Sequence, residues 1–163
     1  MEILKITKGN QEQYLNTVIK FEGHIEFEES MGWLTFKSLL AKGHIYARAG
    51  TGIEAGGGIE AGEGIEAGEG IKAGGGIKAG EGIEAGEGIK AGGGIKADWG
   101  IEAGANISVK LRIFAGLCMW REPKGEEMQI KCKRLERGNV AYGNLLESKP
   151  AATGLSNHPG AVA

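Results

Sequence analysis

From Gly52 the chain reads GIEAGG GIEAGE GIEAGE GIKAGG GIKAGE GIEAGE GIKAGG GIKADW GIEAGA, nine consecutive hexads with Ile at 53, 59, 65, 71, 77, 83, 89, 95 and 101. A six-residue period fits a β-solenoid and no helix. Within each hexad Ile and Ala lie two positions apart, so an extended segment turns both to one side and the intervening Glu or Lys to the other. The pattern predicts a string of short strands with Ile and Ala facing inward and charge facing outward. The glycines that follow each Ala are expected to turn the chain through positive φ.

A second period overlies the first. The residue between the turn glycines runs Gly57, Glu63, Glu69, then Gly75, Glu81, Glu87, then Gly93, Trp99, Ala105. Gly therefore recurs every eighteen residues, or three hexads, which is one coil of a triangular prism with three short sheets. The prediction is an all-β fold, a single-domain parallel β-solenoid, triangular, with about 18 residues per coil. Stacking in that register makes outward columns of Glu54, Lys72 and Lys90, of Glu60, Lys78 and Lys96, and of Glu66, Glu84 and Glu102.

The flanks carry degenerate versions of the same unit. Ile19-Lys20-Phe21, Ile25-Glu26-Phe27, Leu34-Thr35-Phe36 and Ile45-Tyr46-Ala47 precede the array, and Ile107 to Ile113, Met128 to Cys132 and Val140 to Tyr142 follow it. The solenoid is expected to run from about residue 15 to 146, organised as N-terminal capping coils (1–51), the perfect hexapeptide array (52–107), C-terminal coils and cap (108–147) and a mobile tail (148–163). Phe21, Phe27, Trp33 and Phe36 are expected to widen and cap the first coils.

Composition sharpens this picture. Twenty of the 31 glycines lie between Gly52 and Gly104, yet Gly does not recur every third residue and there are three prolines, which excludes a collagen. The near-neutral total hides an asymmetry. Residues 1–51 carry six basic and six acidic groups, 52–107 four and ten, and 108–163 nine and five. Cys118 and Cys132 lack CxxC spacing and read as buried reduced thiols. No apolar leader or membrane-length run is present, so the expected location is the cytoplasm, with no membrane partner.

Candidate chemistry is sparse. No Ser/His/Asp set, phosphate-binding glycine loop or metal-ligand spacing stands out, so no catalytic, cofactor or metal residues are assigned. His24, His44 and His158 read as packing or surface residues. The basic groups from Arg121 to Arg137 are interleaved with Glu122, Glu126, Glu127 and Glu136, which argues against direct nucleic-acid binding. What remains is a strip of carboxylates, Glu66, Glu84 and Glu102 with Glu69 and Glu87 at the turn. Either solvent screening sustains this strip or a partner uses it. Trp99, which breaks the array at a turn, is the apolar anchor of that partner-binding set, or else packs beneath a cap.

The hexads from residue 52 to 107 resemble those of hexapeptide-repeat, left-handed parallel β-helix proteins. That resemblance implies a prism fold and, in many members, a trimeric acyltransferase with an interfacial histidine base. The tract GIEAGEGIEAGEGIKAGG with LRIFAGLCMW and NVAYG is also similar to short Gly-rich repeat proteins of phages and mobile elements. Several small interaction-only proteins of that origin block host defence complexes, including CRISPR effectors. The expectation is a non-enzymatic protein-binding solenoid that inhibits a host protein or ribonucleoprotein complex by occupying it. A self-assembling homo-oligomeric module and an acyltransferase are the alternatives.

Overall fold

A computed structural model describes residues 1–148, and the expected tail lies outside the described residues apart from Ser148. The chain forms a parallel β-solenoid of about eight turns with about 19 residues per turn. One face is an eight-stranded parallel sheet running from Ile3–Ile6 through His24–Phe27, Ile45–Ala47, Ile65–Ala67, Ile83–Ala85, Ile101–Ala103 and Gln129–Cys132 to Asn144–Glu147. The other two faces are joined at one corner by a single long strand, Ile107–Ala115. It pairs with Ile89–Ala91 on the second face and Ile95–Ala97 on the third. Among the described residues no helix is long and apolar enough to cross a membrane.

The eighteen-residue register holds through the array. Ile71 pairs with both Ile53 and Ile89, Ile77 with Ile59 and Ile95, and Ile83 with Ile65 and Ile101. Every Ile and Ala of the array's Ile-x-Ala strands is buried, while the residue between them is exposed or half-buried, as strand alternation requires. The N-terminal coils are longer. Ile25 pairs with Ile45 and Ile45 with Ile65, a spacing of 20 residues. Bulk accounts for part of this, because Phe27 and Phe36 occupy positions that Ala47 and Ala55 fill one coil later, with ring centroids 5.5 Å apart. Phe21 is half-buried against the same core. Trp33 departs from the expectation and lies outside, against Gly52 and Gly70, with the Lys72 ammonium 4.4 Å from its ring centroid. The solenoid also begins earlier than expected, because Leu4 and Ile6 continue the inward columns of Ile25 and Phe27.

The glycines work differently from the expectation. Positive φ among glycines occurs at Gly32, Gly50, Gly116, Gly138 and Gly143, none of which is a turn glycine of the array. The reason for glycine there is close approach. A Cβ on Gly74, Gly80, Gly86, Gly92 or Gly104 would collide with the carbonyl oxygen of the equivalent glycine one coil earlier. The same stacking lets the Gly80 amide N–H donate to the Ala61 carbonyl at 3.0 Å and the Gly92 amide to Ala73 at 2.9 Å. Asp98 stands in this column above Gly80, and its bond to the Ala79 carbonyl lengthens to 3.3 Å.

Beyond the array, residues 116–128 form an inserted loop at the corner between the third and first faces. It contains the 3-10 turn Gly125–Met128, and Arg121 makes a two-pronged ion pair with Glu127 at 2.7 and 2.8 Å. That pairing and the Lys124 amide hold the Glu127 carboxyl down to about 2.

Adding one methyl group tests the close-approach account. Gly80→Ala should destabilise the fold by about 1–3 kcal/mol, whereas Gly125→Ala, whose added Cβ meets open space, should leave the urea midpoint essentially unchanged.

Candidate functional site

The outward columns arrive where the register puts them. Glu66, Glu84 and Glu102 stack directly on the first face, preceded by Tyr46 and followed by Lys131. Backbone hydrogen bonds define the two corners beside them. The Glu63 amide donates to the Gly43 carbonyl, Glu81 to Glu63, Trp99 to Glu81 and Gly116 to Trp99. On the other corner Glu69 donates to Thr51, Glu87 to Glu69 and Ala105 to Glu87. The first face is thus bordered by carboxylates on both edges, and the strip foreseen from Glu66, Glu69, Glu84, Glu87 and Glu102 is the wider part of a larger acidic surface.

A groove of about 520 Å³ follows the leading edge of this face. Glu26, Glu63, Glu66, Glu81, Glu84, Glu102 and Glu126 line it, with Lys131 as its one ammonium. Glu69 and Glu87 belong to the opposite corner and do not line the groove. The sequence reading overlooked Glu63 and Glu81, although each precedes an Ile-Glu-Ala strand as closely as Glu69 and Glu87 follow one. Glu26 and Glu126 gave no signal, because they come from a wider early coil and from the inserted loop.

Neutralisation is confined to the ends of the surface. Arg48 reaches Glu26 at 3.9 Å and Lys131 reaches Glu102 at 3.8 Å, while Glu66, Glu69, Glu81, Glu84 and Glu87 form no ion pair among the described residues. Carboxylates one rung apart, ~4.8 Å, repel by about 1 kcal/mol even in a water-like dielectric. Glu84 sits between two of them. Partial burial, and then the charges of Glu66 and Glu102, push its carboxyl above the usual carboxylate range. By contrast, the third face interleaves signs, with Lys78 3.5 Å from Glu60 in the column below it.

Trp99 is half-buried at the head of the Glu63–Glu81 column, directly below the start of the inserted loop. Its indole Nε1 is buried without a hydrogen-bond partner among the described residues. The loop itself exposes two large apolar groups, Met119 at 94 % and Trp120 at 67 %. Phe114 faces outward and is half-buried, Leu117 is half-buried, and Cys118 and Cys132 are buried free thiols.

At the other end of the groove the fold gathers a cluster that no sequence spacing suggested. His24 and His44 stack with ring centroids 4.0 Å apart, and Glu63 lies 3.6 Å from His24 Nδ1 and 3.8 Å from His44 Nδ1. Three successive coils contribute one residue each, so the ligand-type groups are separated by a whole coil in sequence. His158 lies outside the described residues.

No protein-family model, curated protein or solved structure matches this chain.

Two substitutions test these environments. Glu84 holds its proton more tightly folded than unfolded, so its ionisation lowers stability as pH rises through the raised value, and the penalty persists above it. Glu84→Gln should therefore raise the melting temperature at about pH 7, with the gain shrinking toward about pH 4. Trp99→Phe removes a buried unpaired donor and should be neutral or stabilising by about 1 kcal/mol in urea titrations.

Proposed function

We propose that this solenoid is a protein-binding module whose acidic first face occupies a basic, nucleic-acid-accepting surface on a larger partner. The observation that carries the reading is the groove of seven carboxylates with one ammonium, on a face whose opposite corner carries Glu69 and Glu87. A rigid row of like charges offers a cationic cleft the kind of field that a nucleic-acid backbone offers it. Release of the repulsion around Glu84 on contact with Lys or Arg favours the bound state. The exposed Met119 and Trp120, in the loop that also contributes Glu126 to the groove, supply apolar anchoring area beside the charged field.

The specific form proposed is inhibition of a host defence complex that acts on nucleic acid, in the cytoplasm and without catalysis, a choice that rests on the resemblance of the Gly-rich tract alone and on no matched family, protein or structure. End-to-end self-assembly is the weaker alternative. In the last described strand Glu147 takes the inward position paired with Cys132, and a charge in the core column opposes addition of another apolar coil there.

The test is binding of the full chain to purified RNA-guided effector complexes, with their target DNA as competitor. The triple substitution Glu66→Lys, Glu84→Lys and Glu102→Lys should weaken binding roughly a hundredfold or more, and target DNA should displace the wild-type chain. Binding that survives the charge reversal, or that is indifferent to DNA, would rule out the acidic face as the contact.

A further inference from the structure

We propose that His24, His44 and Glu63 form a binding site for a divalent transition-metal ion that fastens three successive coils together. One backbone contact fixes the role of His24 Nδ1. The His44 amide N–H donates to His24 Nδ1 at 3.0 Å, so that nitrogen carries no proton. His44 Nε2 faces Glu26 Oε1 at 3.4 Å, and a proton held there leaves His44 Nδ1 as a lone pair directed at Glu63. A carboxylate behind a ligating imidazole is the usual way such a ligand is oriented.

In the His44 tautomer protonated at Nε2, three acceptor atoms face one another. Glu63 Oε2 lies 3.6 Å from one imidazole nitrogen and 3.8 Å from the other, and the three ligand atoms all fall within 4.8 Å of each other. Ligands on a tetrahedral zinc ion, with bonds of about 2.0–2.2 Å, stand roughly 3.4 Å apart. Because the two rings stack at 4.0 Å with 28° between their planes, closing on one ion requires the imidazoles to rotate apart as well as to move inward. Loading turns the His24 lone pair from the His44 amide to the ion, exchanging one hydrogen bond for a coordinate bond.

The surroundings fit a cation. Gly43 makes room for the His24 ring, since a Cβ there would overlap Nδ1. His44 and Glu63 open onto the acidic groove, whose field lowers the energy of any cation entering it. Two imidazoles and one carboxylate select zinc, cobalt, nickel or copper over magnesium or calcium. The site shares Glu63 and His44 with the groove, while His24 lies beside it.

Titration of the tag-free full chain with zinc, by calorimetry, and with cobalt(II), by visible absorbance, decides the matter. One ion should bind per chain and raise the melting temperature. Glu63→Gln and His44→Ala should each weaken binding at least roughly tenfold and abolish the thermal shift, while Glu87→Gln on the far corner leaves both intact. Glu63 is a turn residue on the surface, so its variant decides the question even if His44→Ala fails to fold, with far-ultraviolet circular dichroism checking the metal-free variant. Absence of stoichiometric binding, affinity unchanged by Glu63→Gln, or equal binding of magnesium would each overturn the site.

Discussion

Each coil of this protein rests its turns on the carbonyl oxygens of the coil before it. From Gly62 on, the glycine that follows each array Ala has no room for a Cβ because the preceding coil's backbone already occupies that position, and the same approach brings turn amides within bonding distance of the carbonyls below. Strand pairing, the unbroken Ile and Ala columns and the straightness of the charged columns all follow from coils held at one spacing. Where the column departs from glycine, at Asp98, the supporting bond stretches and the regular array soon gives way to the long strand Ile107–Ala115 and the inserted loop.

That constraint also explains the charge pattern. Once coils are locked in register, residues eighteen apart in sequence are one rung apart in space, and a Glu repeated at that interval becomes a row of neighbouring carboxylates. Flexible side chains relieve part of the repulsion, but the backbone cannot slip by one residue without turning the Ile columns outward. The acidity of the first face is therefore as rigid a property as the fold itself. The second and third faces mix Glu54 and Glu60 with Lys72, Lys90, Lys78 and Lys96 in their columns, so an unmixed row of like charge is confined to the first face.

Fold and site were legible in the sequence to different depths. The hexad spacing specified strands, faces and register, since each depends only on local alternation and an integer period. The role of the turn glycines was misread as torsional, because the sequence shows a missing side chain without showing which atom takes its place. Glu66, Glu84 and Glu102 could be placed together by counting. Glu26 and Glu126 could not, because coil length changes to 20 residues before the array and a loop interrupts it afterwards. The His24, His44 and Glu63 cluster was hidden for the same reason: its members meet only after the chain has passed around the prism.

Coils of equal length with the same inward residues are interchangeable. A unit of eighteen residues begins and ends at equivalent points of the prism, so inserting or deleting one leaves every remaining Ile, Ala and turn glycine with an equivalent neighbour above and below. The ends, with Phe27 and Phe36 at one and the inserted loop at the other, keep their own surroundings. The array is in this sense a ruler, whose length and number of carboxylate rungs change in steps of ~4.8 Å without redesign of either terminus. A protein built this way matches the length of a binding surface by copying a segment, where an ordinary globular core would have to be repacked.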